Sequence, residues 1–204
     1  YNEAAPAGIS LTINNLSVNA AGSNNITLNA GNDGGSLAGV AAIGTVATAT
    51  SSAQSNITIN ASNGTLTLQG PLGMNNGRAR VINCQNAPAP LSASFDIGIT
   101  AQNVVVVGGT AVPLLGQPYG YADMYSCRNL TMTFLQNLTV NTVTQTGYAH
   151  IVGYQNCYLN NNGAGVTAQV IGGVRPTPGG SDPGADALVE ALNGQVGIGQ
   201  FGPG

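Results

Sequence analysis

Lysine is missing from all 204 residues, and only four arginines and seven carboxylates supply the formal charge of −3. Without lysine there are no Lys–Asn isopeptide staples. With Arg78, Arg80, Arg128 and Arg175 as the only strong cations, no basic stripe exists to follow a nucleic acid backbone. No apolar run approaches 18 residues, so no membrane-spanning helix is expected, and the sequence reads as a mature, non-spanning chain. Few paired carboxylates also means little stability to lose by protonation, which predicts a fold that withstands acid.

Chemistry-bearing residues are equally scarce. His150 is the only histidine, and nothing singles out a serine and a carboxylate to complete a nucleophilic triad with it. Cys84, Cys127, Cys157 and His150 lack the CxxC spacing of a zinc site, so no metal is expected. The string GIGQFG at 197–202 matches a dinucleotide fingerprint literally but has no strand-before, helix-after context. Asp96 and Asp123 are the candidate paired carboxylates, with no feature that joins them. Tyr119, Tyr121 and Tyr125 could line a sugar-binding face or simply pack. These residues predict no enzyme and no cofactor. Three cysteines allow one disulfide and one leftover thiol, and Cys127–Cys157 is the favoured pair.

What the chain has in abundance is asparagine, threonine, glycine and β-branched residues, arranged in alternating strands. NLSVNA at Asn15, NITLNA at Asn25, NITINA at Asn56 and NLTVNT at Asn137 share one form: a sequon whose apolar positions alternate with polar ones. Asn60, Asn63 and Asn129 bring the N-glycosylation sequons to seven. The four related segments start 10, 31 and 81 residues apart, a spacing with no fixed period and therefore no expectation of a solenoid. SNITINASNGTLTLQG at 55–70 reads as a β-hairpin closing on Asn63-Gly64, with Ile57, Ile59, Ala61, Leu66 and Leu68 on the buried face. Further strands are expected near 25–30, 78–83, 91–101, 129–143, 147–154 and 164–171. VVVV at 104–107 reads as a strand buried on both faces. SDPGADALVEALNG at 181–194 predicts one short C-terminal helix, with Asp182 as cap, Pro183 at its first position and Gly194 past its end. Asp182, Asp186 and Glu190 would form its solvated stripe. The fold class this predicts is all-β, an antiparallel pilin-like or Ig-like β-sandwich in one domain.

The segment Ile9–Val18 stands apart as an amphipathic strand at the start of the chain. Ile9, Leu11, Ile13, Leu16 and Val18 would fold back into their own sandwich or complete the sheet of a neighbouring subunit, as a donor strand. Burying them contributes about 8–15 kcal/mol. That barely offsets the ~10–20 kcal/mol of ordering about ten residues, so both strand edges must bond. This layout divides the chain into a tail at 1–20 and a head at 21–204.

With its leading strand and its repeated NLSVNA, NITLNA, NITINA and NLTVNT segments, the lysine-free chain resembles the subunits of archaeal thread filaments, the thread pilins of thermoacidophilic crenarchaea. Archaeal bundling pili and bacterial chaperone–usher pilins are more distantly similar. The resemblance implies a pilin-like sandwich head, a donated N-terminal strand, dense covalent N-glycans and a homopolymeric cell-surface filament for adhesion or biofilm formation. A surface-layer or viral coat protein and a secreted glycan-binding module are the alternatives.

Overall fold

The computed structural model describes residues 15–30, 40–44, 56–71, 78–83, 95–109, 120–142, 147–163, 165–172 and 186–199, which hold thirteen strands and no helix. The strands are β1 (Asn15–Asn19), β2 (Ile26–Asn29), β3 (Val40–Gly44), β4 (Asn56–Gln69), β5 (Arg78–Ile82), β6 (Ile97–Gly108) and β7 (Tyr121–Ser126). They continue with β8 (Asn129–Thr142), β9 (Tyr148–Gly153), β10 (Asn156–Asn161), β11 (Thr167–Ile171), β12 (Asp186–Ala191) and β13 (Val196–Gly199). One sheet runs β1-β4-β6-β8-β10-β13, with β2 also on β4 and β11 also on β8. The other runs β12-β9-β7-β5-β3.

Every pairing is parallel. From β4 to β9 the chain passes alternately through the first and second sheets and returns each time one strand further along, so it winds as a parallel β-helix. The antiparallel sandwich is therefore wrong, and with it the pilin-like head that the resemblance implied. Alternating apolar and polar residues mark a strand with one buried face, and that alternation is identical for parallel and antiparallel neighbours.

The supposed hairpin shows this most directly. Asn56–Gln69 is a single strand whose register with β6 shifts between Ala61 and Thr65, dividing it into two legs. β1 pairs with the first leg and β2 with the second. Ile57, Ile59, Ala61, Leu66 and Leu68 are all buried, as the alternation requires, but they face the core of a coil instead of one side of a hairpin. Gly64 serves the bend by close approach, since a Cβ there would lie 2.1 Å from the Asn24 carbonyl oxygen.

Stacking places like residues in columns along the coil axis. Ile57, Ile97, Leu130, Cys157 and Val196 share one column, and Ile59, Ile99, Met132, Leu159 and Ile198 another. On the second leg Leu66, Val104 and Leu138 stack, beside Leu68, Val106 and Val140. In the second sheet an all-alanine column, Ala41, Ala79, Ala122, Ala149 and Ala187, runs beside Ile43, Val81, Met124, Ile151 and Val189. Both sheets contribute to one continuous core cluster.

No two successive spacings in the column from Leu16 to Val196 are equal, which is why no fixed period shows in the sequence although the chain is a solenoid. The segments between successive strands differ in length while the strands themselves stay paired. The expected helix at 181–194 is likewise replaced by a strand: Ala187, Val189 and Ala191 pack against the core and Asp186–Ala191 pairs with β9, while 181–185 lie outside the described residues. Parallel ladder bonds and core contact outweigh the helix propensity of so short a segment. VVVV is also one-sided, with Val104 and Val106 fully buried and Val105 and Val107 half-buried on the outer face. Among the described residues no helix is long and apolar enough to cross a membrane.

Candidate functional site: a charged face, glycan acceptors and an open end

Among the described residues every charged side chain except the Asp96–Arg128 pair projects from the outer face of the second sheet. Three cross-strand rows carry them. Arg78, Tyr121, Tyr148 and Asp186 form one; Arg80, Asp123, His150 and Leu188 the next; Ile82, Tyr125, Val152 and Glu190 the third. The Arg78 guanidinium lies 4.8 Å over the Tyr121 ring, which stacks on Tyr148 at 4.9 Å and 11°. Arg80 holds Asp123 with a fork, its Nε and Nη2 donating at 2.9 and 2.7 Å. Of the two candidate acids, then, Asp123 lies on this face and Asp96 at a corner of the coil bonded to Arg128, so they do not meet.

His150 stands in the middle row, with its Nε2 buried and unbonded, as is the Tyr125 hydroxyl. Burial pushes the imidazole below its ordinary 6.5, outweighing the nearby carboxylates of Asp123, Asp186 and Glu190. Burial, with Tyr154 and Glu190 nearby, pushes Tyr125 up to about 12. Because His150 folds in its neutral form, the unfolded chain binds more protons just below pH 6.5. Stability is therefore full above that pH and falls as acid is added. A His150→Gln variant is expected to melt at nearly the same temperature at pH 5 and pH 7, while the wild type melts lower at pH 5. Thermal scans at the two pH values check this. Asp96 acts in stronger acid. Burial raises its pKa, but hydrogen bonds from Arg128 and from the Asn129 amide, with the Arg128 charge, bring it below 3.8. Its stabilisation is present above that value and is lost as pH falls through the folded-state pKa. These two groups work against the acid tolerance expected from composition.

Asparagines at one corner of the coil form a side-chain ladder between rungs. The Asp96 amide donates to Asn56 Oδ1 at 2.9 Å, and the Asn129 amide to Asp96 Oδ1 at 3.0 Å. Asn156 Nδ2 donates to Asn129 Oδ1 at 2.8 Å, and the Gln195 amide to Asn156 Oδ1 at 3.1 Å. Sequons thus fall into two classes. Asn56 and Asn129 are half-buried ladder members, whereas Asn25, Asn60, Asn63 and Asn137 are exposed. Asn60 edges a shallow groove of about 410 Å³ with Asn19, Thr58, Thr100, Thr131 and Thr133. A glycan is attached through Nδ2 and needs open space beyond it. Intact glycopeptide mass spectrometry is expected to find sugar at the four exposed asparagines and bare Asn56 and Asn129. Of Asn15 only the backbone is described, paired in register with Asn56.

The described part of the leading segment, within Asn15–Asn19, pairs with its own chain. Leu16 pairs in register with Ile57, and Val18 packs against this chain's core, while Ile9, Leu11 and Ile13 lie outside the described residues. The favoured cysteine pairing does not occur: Cys127 is disulfide-bonded, but Cys157 is a free, buried thiol in the column between Leu130 and Val196, its pKa pushed up to about 12 by burial. Sequence order cannot reveal that a coil buries Cys157 in its core. The remaining cysteine, Cys84, lies outside the described residues.

One surface escaped the sequence reading altogether. All the exposed large apolar side chains among the described residues belong to the last coils: Val170, Ile171, Leu188, Leu192, Val196 and Ile198. β11, β12 and β13 each pair on one side only with a described strand, and so do β1, β2 and β3 at the opposite end. The signal was present in the apolar alternation of VGIG, which is too short to be read as a rung without its neighbours. The chain matches no protein-family model, no curated protein and no solved structure.

Proposed function

We propose that this chain is a structural, non-enzymatic subunit of an extracellular, N-glycosylated filament in which identical copies associate head to tail, for adhesion or biofilm formation. The observation that carries the reading is that, among the described residues, the exposed large apolar side chains lie at one end of the coil, where β11, β12 and β13 each pair on one side only with a described strand. An open, apolar edge is a template for another strand. A contact between unlike ends does not close on itself and so makes a fibre. The Cys127 disulfide fits an oxidising compartment, and the exposed sequons fit a secreted glycoprotein.

Electron micrographs of the purified native protein test the proposal. Unbranched filaments are expected; flat lattices or closed shells would favour a surface-layer or coat protein instead. A second reading, a glycan-binding module, draws on the charged second-sheet face, where among the described residues Arg78 makes no salt bridge and His150 Nε2 and the Tyr125 hydroxyl have no hydrogen-bond partner. Saturable binding of an oligosaccharide by a monodisperse monomer would favour that reading.

A further inference from the structure

We infer that the partner of the open β13 edge is β1 of a second copy of this chain, added parallel so that Val196 stands opposite Leu16 and Ile198 opposite Val18. The inference rests on the filament reading and names its joint.

Three features point to this pairing. β13 pairs with β10, while β11 and β12 pair with the preceding rung through β8 and β9, so among the described strands β13 is the outermost at its end. Leu16 and Val196 also belong to one column, as do Val18 and Ile198, so the added rung repeats the apolar type at each position. The outward position between them sets Gly197 against Ser17, two small residues that allow close approach.

Orientation follows from topology and charge. Translation along the coil axis keeps all strands parallel, as is every pairing among the described strands. A two-fold contact between two β13 edges would make them antiparallel and reverse the order in which the faces follow one another. It would also bring Asp186 and Glu190 of both copies toward each other. Head-to-tail stacking instead turns these carboxylates toward the end of the next copy nearest Arg78 and Arg80.

Cysteine cross-linking tests the register. Ser17→Cys and Gly197→Cys lie on facing strands in the joint, within the Cα separation that a disulfide spans. Buried Cys157 does not compete. The double variant, oxidised under assembly conditions, is expected to give a reductant-sensitive series of multimers, and an equimolar mixture of the two single variants only dimers. Filaments without cross-links would overturn this joint and leave the filament reading standing, whereas neither filaments nor cross-links would overturn both. Dimers from Gly197→Cys alone would show a tail-to-tail contact and overturn the inference. If circular dichroism shows the variants unfolded, hydrogen exchange on the unmodified protein decides. Amides of Asn15–Asn19 and Val196–Gly199 are expected to exchange about tenfold slower or more in the polymer than in the dilute monomer, and unchanged rates at either strand would overturn the joint.

Discussion

Ile198→Asp is expected to abolish assembly while leaving the coil folded. Ile198 is 60% exposed in the single chain, so the substitution removes little buried surface there, and its cost to folding is expected within about 0.5 kcal/mol. In the joint the same position stands opposite Val18 of the next copy. A carboxylate carried into that apolar seam without a partner costs several kcal/mol. Each ~1.4 kcal/mol is a tenfold change in an association constant, so the concentration needed for assembly is expected to rise about a hundredfold or more. Sedimentation and negative-stain microscopy measure this directly. Ile198→Val, which keeps the apolar character, should assemble nearly as the parent does. Normal filaments from Ile198→Asp would show that β13 takes no part in the contact.

Phe134→Ala is expected to be the most damaging single truncation in the described core. Phe134 is fully buried on β8, in register with Ala101 on β6 and Asn161 on β10, so its ring fills space that a small neighbour leaves open. Removing it costs about 3–5 kcal/mol through lost transfer energy and the cavity left behind. At about 2–4 °C per kcal/mol for a domain of this size, the melting temperature should fall on the order of 10 °C. Position along the coil matters too. In a stack where each rung touches mainly its neighbours, a weak central rung uncouples the two ends, while a weak terminal one only frays. Val170→Ala, on the exposed β11, should therefore lower the melting temperature far less. Equal shifts for the two variants would argue against rung-by-rung stability.

Inside and outside were legible from the sequence, and neighbours were not. Ile57, Ile59, Leu66 and Leu68 could be assigned to the core because side chains alternate on any strand. Asn63-Gly64 carries the chemistry of a hairpin turn, yet the same two residues here turn a strand from one leg to the next, since backbone freedom says nothing about where the next strand comes from. The four sequon segments were themselves rungs. NLSVNA and NITINA are neighbours on the first leg. NITLNA and NLTVNT occupy the second leg, separated by the rungs of β4 and β6. Their uneven spacing hid a repeat that exists in space. At 181–194 the cap, proline and glycine signals of a helix were all present. They lost to Ala187 and Val189, whose places in the columns of Ala149 and Ile151 depend on residues far away in the chain. The charged face was illegible for the same reason: Arg80, Asp123 and His150 are brought side by side only by the winding.

The all-alanine column has a mechanical consequence. Five methyl groups in file, the central three fully buried, set one gauge for the cross-section along the second sheet from β3 to β12. A single bulkier side chain at the fully buried Ala79, Ala122 or Ala149 would wedge its own rung outward and tilt those above and below it. A local error in girth would then become a bend in the long axis, and a fibre made of such units would lose its straightness before it lost its strength.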